Sequence, residues 1–413
     1  MLRKNIALLV LLLSMTACQT GHPRLGNPEL PYPPQREPQV GDILHLPTGI
    51  YVDKQVLFDQ ATRSQVVFVG ETHDNPASHQ LQLEILQALE ARNPGKVSLA
   101  MEMFTPGQQA VLDRWVAGEL NEKEFLKQVE WFKNWKMDFA LYQPLLEAAR
   151  AKQIPVIALN VDKTLQRKVG RTPFAELNDE EREQLPEMVA DPYQTAATRA
   201  FYSGHKMGDA AADGFQRVQT LWDESMAENL ANYLLSAAGK DRQVVVVAGG
   251  NHVRYGYGIP RRMFRRIPVS YLIVGSQEID LPESRKQQLM NLTLPQFPMP
   301  AYQFLQYTRY EELPEKGVKL GIMIDAAENG ILVKGVLPGS VAEEFGLQKD
   351  DLLTKLDGAI ELKDPFDLIY ELQQKQTGAK IELTLERATE ILVVPIEFTA
   401  RKEQAHGMQH GKP

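Results

Sequence analysis

The sequence predicts an α/β domain, a mostly parallel sheet flanked by helices, followed by a second, smaller domain. Between Gln65 and Ser276 short apolar runs alternate with helical patterns, as a succession of βα units requires. Five runs, 66–69, 97–101, 155–159, 244–248 and 269–274, are rich in β-branched or aliphatic residues and read as buried strands. Beyond them, prolines at 282, 295, 298, 300 and 314 interrupt every regular pattern, which predicts a linker over 281–316 with the second domain after it.

The helices between the strands carry their own signals. Asp74 or Asn75 can cap a helix entered at Pro76, whose Leu83, Leu86 and Leu89 recur at helical spacing until Asn93-Pro94-Gly95 stops it. Further helices are predicted over 106–117, 122–131, 143–152 and 213–238, and Pro260 opens another that runs through Arg266. No repeat of solenoid period is present. The short polar tail, 399–413, is expected to stay disordered.

Composition narrows the classes of function. Hydrophobic residues form 43% and charged residues 24% of the 413, which excludes a disordered, collagen-like or multispan membrane chain. With 45 Lys and Arg against 53 Asp and Glu the formal charge is −8, which argues against non-specific nucleic-acid binding. A single cysteine excludes an intramolecular disulfide, a CxxC redox pair and a multi-cysteine metal site. That cysteine has a place of its own. Arg3 and Lys4 precede the apolar run 6–13, too short to span a bilayer, and Met15-Thr16-Ala17 leads into Cys18, which resembles a lipobox. The resemblance implies a signal peptide over 1–17, lipidation of Cys18 and anchoring in a membrane. Gln19 stands where Asp would favour retention in the inner membrane, so the sorting rule implies the outer membrane, facing the periplasm. Prolines at 23, 28, 31, 33, 34 and 38 make 18–41 a tether.

The first four strands all end in polar residues. They lead into Gly70-Glu71-Thr72-His73, Glu102, Asn160 with Asp162, and Gly249-Gly250-Asn251-His252. In open α/β sheets the crevice beyond the carboxyl ends is where ligands bind. Two His and two Glu on one edge, Glu71, His73, Glu102 and His252, suit a divalent metal ion, with a spare carboxylate as general base on bound water; this is the chemistry of a hydrolase. After His252, Tyr255 and Tyr257 lead into a helix with Arg261, Arg262, Arg265 and Arg266, which either holds carboxylates or phosphates beside the pocket or forms a solvated face.

Three ordered motifs carry a family resemblance. Phe68-Val69-Gly70-Glu71-Thr72-His73-Asp74, Leu221-Trp222-Asp223-Glu224-Ser225-Met226-Ala227 and Gly249-Gly250-Asn251-His252-Val253 with Gly258-Ile259-Pro260 resemble those of the ChaN-like haem-binding lipoproteins, over roughly 42–280. These are related to the Tiki proteases and erythromycin esterases, in which paired Gly-x-x-His elements accompany metal-dependent hydrolysis. The resemblance implies haem as cofactor, a role in iron acquisition at the outer membrane, and a homodimer able to enclose two haems. Tyr202, His205, Tyr255 and Tyr257 are the candidate axial ligands, and the four arginines the candidate contacts of the propionates. From 317 to 398 the sequence resembles a PDZ domain, an α+β fold. Lys319-Leu320-Gly321-Ile322 is similar to its carboxylate-binding loop, and Val336-Leu337-Pro338-Gly339-Ser340 to its central pattern. This implies that Leu320, Gly321 and Ile322 receive the free C-terminus of a peptide or protein.

Overall fold

The computed structural model describes residues 32–203, 209–287, 295–313 and 317–399. The expected signal peptide, Cys18, most of the expected tether, His205 and nearly all of the tail lie outside them, as does the side chain of Tyr202. Among the described residues no helix is long and apolar enough to cross a membrane. The chain divides into two compact units.

The first unit is α/β, built on one eight-stranded sheet. Its strands are β1 (Ile43–His45), β2 (Ile50–Val52), β3 (Val66–Glu71), β4 (Val97–Met101), β5 (Val156–Ala158), β6 (Gln243–Gly249), β7 (Tyr271–Asp280) and β8 (Phe304–Arg309), in the order β2-β1-β8-β7-β3-β6-β4-β5. From β8 to β5 the pairing is parallel, and β1 and β2 add an antiparallel edge. The aliphatic runs expected as strands all form one. β3 and β4 are buried throughout, as a parallel sheet covered on both faces demands.

The expected linker needs correction. Phe304, Leu305, Tyr307 and Thr308 are buried in β8, parallel to β7, and Phe297 and Tyr302 join the main core. Prolines hide this strand in the sequence because they crowd the approach to it and leave only six residues of pattern. Helix Pro76–Arg92 starts where expected, with Asn75 accepting the Ala77 N–H and proline in the first turn. Helix Asp209–Leu235 lays Met226, Ala227, Leu230 and Leu234 into the core.

The second unit combines 317–399 with an insertion, Glu122–Phe132, that the sequence reading gave to the first domain. Its antiparallel sheet runs β14-β13-β11-β10-β9, with β12 paired to β11. The ranges are β9 (Ile322–Ala327), β10 (Gly330–Val336), β11 (Leu352–Leu356), β12 (Ile360–Glu361), β13 (Lys380–Arg387) and β14 (Glu390–Glu397). Helix Pro365–Gln373 buries Leu368 and Leu372 against the sheet and is capped by Asp364 in a reciprocal capping box with Asp367. Helix Glu122–Gln128 joins this unit through charge. Lys127 reaches Asp364 at 2.7 Å and Asp367 at 3.3 Å, Lys123 reaches Glu371 at 2.8 Å, and Phe132 stacks on Phe366.

Candidate functional site

Strand register brings the polar residues together. β6 pairs with β3 so that Gly249 stands beside Glu71, and with β4 so that Met101 stands beside Val247; Glu102, the next residue, follows the same line. The Gly249 N–H donates to Glu102 Oε2 at 2.7 Å. Gly249 also leaves room for a ring, since a Cβ there would sit 2.8 Å from His73 Nε2. The first glycine of the second Gly-x-x-His is thus set by close approach to the first histidine.

Each histidine is held from behind by a carboxylate. His73 Nδ1 lies 2.6 Å from Glu71 Oε1, and His252 Nδ1 lies 2.6 Å from Asp223 Oδ1. The other side of His252 faces Glu102, with Nε2 at 3.4 Å from Oε1. Glu71 accepts further hydrogen bonds from Gln82 at 2.6 Å and from the Tyr142 hydroxyl at 2.9 Å, and His79 Nδ1 lies at 3.3 Å. Indoles flank both rings edge-on: Trp135 lies 5.1 Å from His73 and Trp222 lies 5.8 Å from His252. His252 is buried, whereas the His73 side chain keeps 32% of its surface exposed.

Burial and charge oppose each other throughout this cluster. Burial disfavours the Glu102 carboxylate, yet the charge and hydrogen bond of His252, with His73 and the Gly249 N–H, bring its pKa down to about 2. Burial likewise disfavours a charged His252, but Glu102 and Asp223 raise it well above its usual value. For His73 the same opposition ends in a raised value, through its hydrogen bond to Glu71 and the charges of Glu102 and Glu71. Asp223 goes the other way: its burial outweighs His252 and Arg262, and its pKa rises.

Two expectations change. Among the described residues no group of three or more His, Cys, Asp or Glu is arranged to hold a metal ion, and the expected set Glu71, His73, Glu102 and His252 is paired within the protein. The reason is that Glu71 is committed to His73, His79, Gln82 and Tyr142, while Glu102 is committed to Gly249 and His252. The arginine cluster is committed too. Arg262, only 1% exposed, pairs with the buried Glu224, as do Arg265 at 3.2 Å and Arg266 at 2.6 Å, and Arg261 pairs with Asp191 at 2.7 Å. Arg262 is therefore removed from the candidate propionate contacts, and the other three already have carboxylate partners. Sequence reasoning missed Asp223, His79, Gln82 and Tyr142 as supports of the histidines. Only Asp223 left a trace, inside a recognised motif.

The family model described as haem-binding uptake, Tiki superfamily, ChaN, matches residues 57–263, about half of the chain. The chain belongs to the ChaN family. Among solved structures, one described as cofacial haem binding to ChaN of Campylobacter jejuni matches at 15% identity with a TM-score of 0.50, covering 66% of this chain and 98% of that one, a likeness of fold. The HtrA3 PDZ domain bound to a phage-derived ligand matches at 21% identity over 19% of this chain and 82% of that chain, with a TM-score of 0.18. The HtrA-type protease AlgW with a decapeptide matches at 22% over 21% of this chain and 30% of that chain, with a TM-score of 0.19. No curated protein matches the sequence.

Haem is the ligand of the ChaN family, and among the described residues neither of two cavities suits a whole porphyrin within one chain. Tyr255 and Tyr257 stack at 5.5 Å and line a cavity of about 40 Å³, against the roughly 300–1,000 Å³ of ordinary ligand pockets. A larger groove of about 590 Å³, between helices Lys54–Ala61 and Pro76–Arg92, has no His or Tyr in its lining and so no donor for the iron. The cavity at Tyr255 and Tyr257 fits an arm of haem, and a porphyrin plane needs an open face beside it.

The paired charges set a pH dependence. Because the folded chain binds the His252 proton more tightly than the unfolded chain, this contribution is complete below about 6.5 and is lost as pH rises through the higher folded value. For Glu102 the contribution is complete above 4.5 and is lost as pH falls towards 2. His252→Gln should cost roughly 3 kcal/mol near neutrality, since it leaves buried carboxylates without their cation. It should also flatten the alkaline decline in stability. Urea unfolding of both proteins from pH 5 to 10 measures this; parallel curves would show that His252 does not carry the dependence.

Proposed function

We propose that this protein is a lipid-anchored haem-uptake protein of the outer membrane that holds haem between two copies of its first unit and recruits a protein C-terminus through its second. The ChaN family match carries the haem reading: its span contains every residue of the buried site from Glu71 to His252. Cofacial binding, described for the Campylobacter jejuni protein, supports a plane held between copies. The small cavity at Tyr255 and Tyr257 agrees with it, since one chain alone offers no porphyrin-sized pocket there among the described residues. Tyr202, His205, Tyr255 and Tyr257 remain the axial candidates, because a tyrosinate or imidazole suits ferric iron. Ferric haem titrated into the purified protein should give a shifted Soret band and a rise in dimer mass; a band identical to free haem removes the reading.

The lipid anchor rests on Cys18 following a short apolar run. Cys18→Ala should move the protein from the membrane fraction to the soluble periplasmic fraction. Unchanged fractionation would contradict the anchor.

Peptide recruitment is supported by the loop before β9. Gly321 has a φ of +79°, Leu337 and Ala342 donate to the Gly321 and Leu320 carbonyls, and among the described residues β9 pairs with β10 alone, which leaves its outer edge for an added strand. Ile322 packs at the margin of the core, while Leu320 is buried within it and so supports the loop instead of lining a side-chain pocket. Peptides with apolar, free C-termini should bind at least tenfold more tightly than the same peptides amidated, measured by calorimetry on the full chain. Equal binding would reject carboxylate recognition.

A further inference from the structure

Five arginines follow His252 within fourteen residues, and four of them have carboxylate partners. Arg254 does not. Among the described residues it makes no ion pair and no side-chain hydrogen bond, and its Nε is buried without a partner. Its guanidinium carbon lies 5.0 Å from the centre of the Tyr255 ring. A buried guanidinium nitrogen left unpaired costs desolvation energy that an incoming acceptor would recover.

The cavity beside it has the matching size and lining. Arg254 lines it together with Gln194, Thr198, Gln219, Asn251 and Tyr255, and among the described residues no acidic side chain contributes to its wall. At about 40 Å³ it has room for roughly three water-sized groups, which is the scale of a carboxylate. Tyr255 is held with a φ of 60° and ψ of −1°, a left-handed conformation that is unfavourable for an aromatic residue, and both it and Arg254 line the cavity.

We propose that this cavity is a carboxylate subsite anchored by Arg254, and that its occupant is a propionate arm of haem. This rests on the haem reading above and moves the propionate contact from the helix Ile259–Arg266 to the turn before it. The guanidinium would pair with the carboxylate through its fork of N–H donors, with the amide of Asn251 as a further donor at the mouth of the cavity.

Ferric haem and its dimethyl ester, titrated in the same detergent and followed in the Soret band, separate the possibilities. The wild-type protein should bind haem at least tenfold more tightly than the ester. Arg254→Gln should weaken haem about tenfold and leave the ester unchanged, Arg254→Lys should keep part of the preference, and the remote Arg309→Gln should keep all of it. Asn251→Asp adds an anion at an exposed position of the lining and should weaken haem but not the ester, which holds the test open if Arg254→Gln fails to fold. Undiminished preference in Arg254→Gln or Asn251→Asp overturns the subsite while haem binding stands. Loss of preference in Arg265→Gln instead of Arg254→Gln returns the contact to the helix. No Soret change with either ligand in the wild-type protein overturns the haem reading itself and the propionate assignment with it.

Discussion

Because β6 pairs in parallel with β3 on one side and β4 on the other, three strand ends finish side by side, and that register places Glu71, Glu102 and the two histidines of the site. Glu71 is the last residue of β3, Gly249 the last of β6, and Glu102 the first beyond β4. Slipping β6 by one residue would turn its apolar side chains to the opposite face and take the Gly249 N–H away from Glu102. A shift in either direction would also bring polar Gln243 or the Gly249-Gly250 turn into the run where Val244 to Val247 are buried, which makes the slip costly. Packing of the sheet and alignment of the charges are thus one constraint.

Placing carboxylates and imidazoles in an apolar interior is expensive unless each lone pair and proton finds a partner. Here the partners alternate in sign: Asp223, His252 and Glu102 form one run, Glu71 and His73 another, and Arg262 neutralises Glu224 one residue beyond Asp223. Helix Asp209–Leu235 provides the first carboxylate of the first run, and helix Pro76–Arg92 supports the second run through His79 and Gln82. Replacing such groups by hydrophobic residues of equal volume can leave stability unchanged, so their cost is set against orientation of the two rings and not against folding energy.

The strands and the first helix were legible because their signals are local. β-branched runs, an Asn cap and a Pro at the first helical position each act within a few residues. The two Gly-x-x-His elements were also readable as strand ends. The supports of the histidines were not, because Tyr142 lies 71 positions after Glu71 and Asp223 lies 29 positions before His252, distances over which only tertiary structure makes contacts. Strand β8 was hidden by its flanking prolines. The insertion 122–132 reads as an ordinary amphipathic helix of the first domain, and the acidic face at Asp364, Asp367 and Glu371, with Phe366 stacked on Phe132, explains why it belongs to the second unit.

The arginines show why residue density is a poor guide to a binding site. Three guanidinium groups on one helix look like a surface for anions until the partner helix supplies Glu224, fully buried and facing them; their charge is then spent on the protein itself. Arg254 stands apart from that cluster in sequence and carries no periodic signal, so composition does not single it out. Its distinction is the lack of a carboxylate partner among the described residues. A guanidinium that no carboxylate among the described residues satisfies can pair with an incoming anion without a salt bridge having to be broken first.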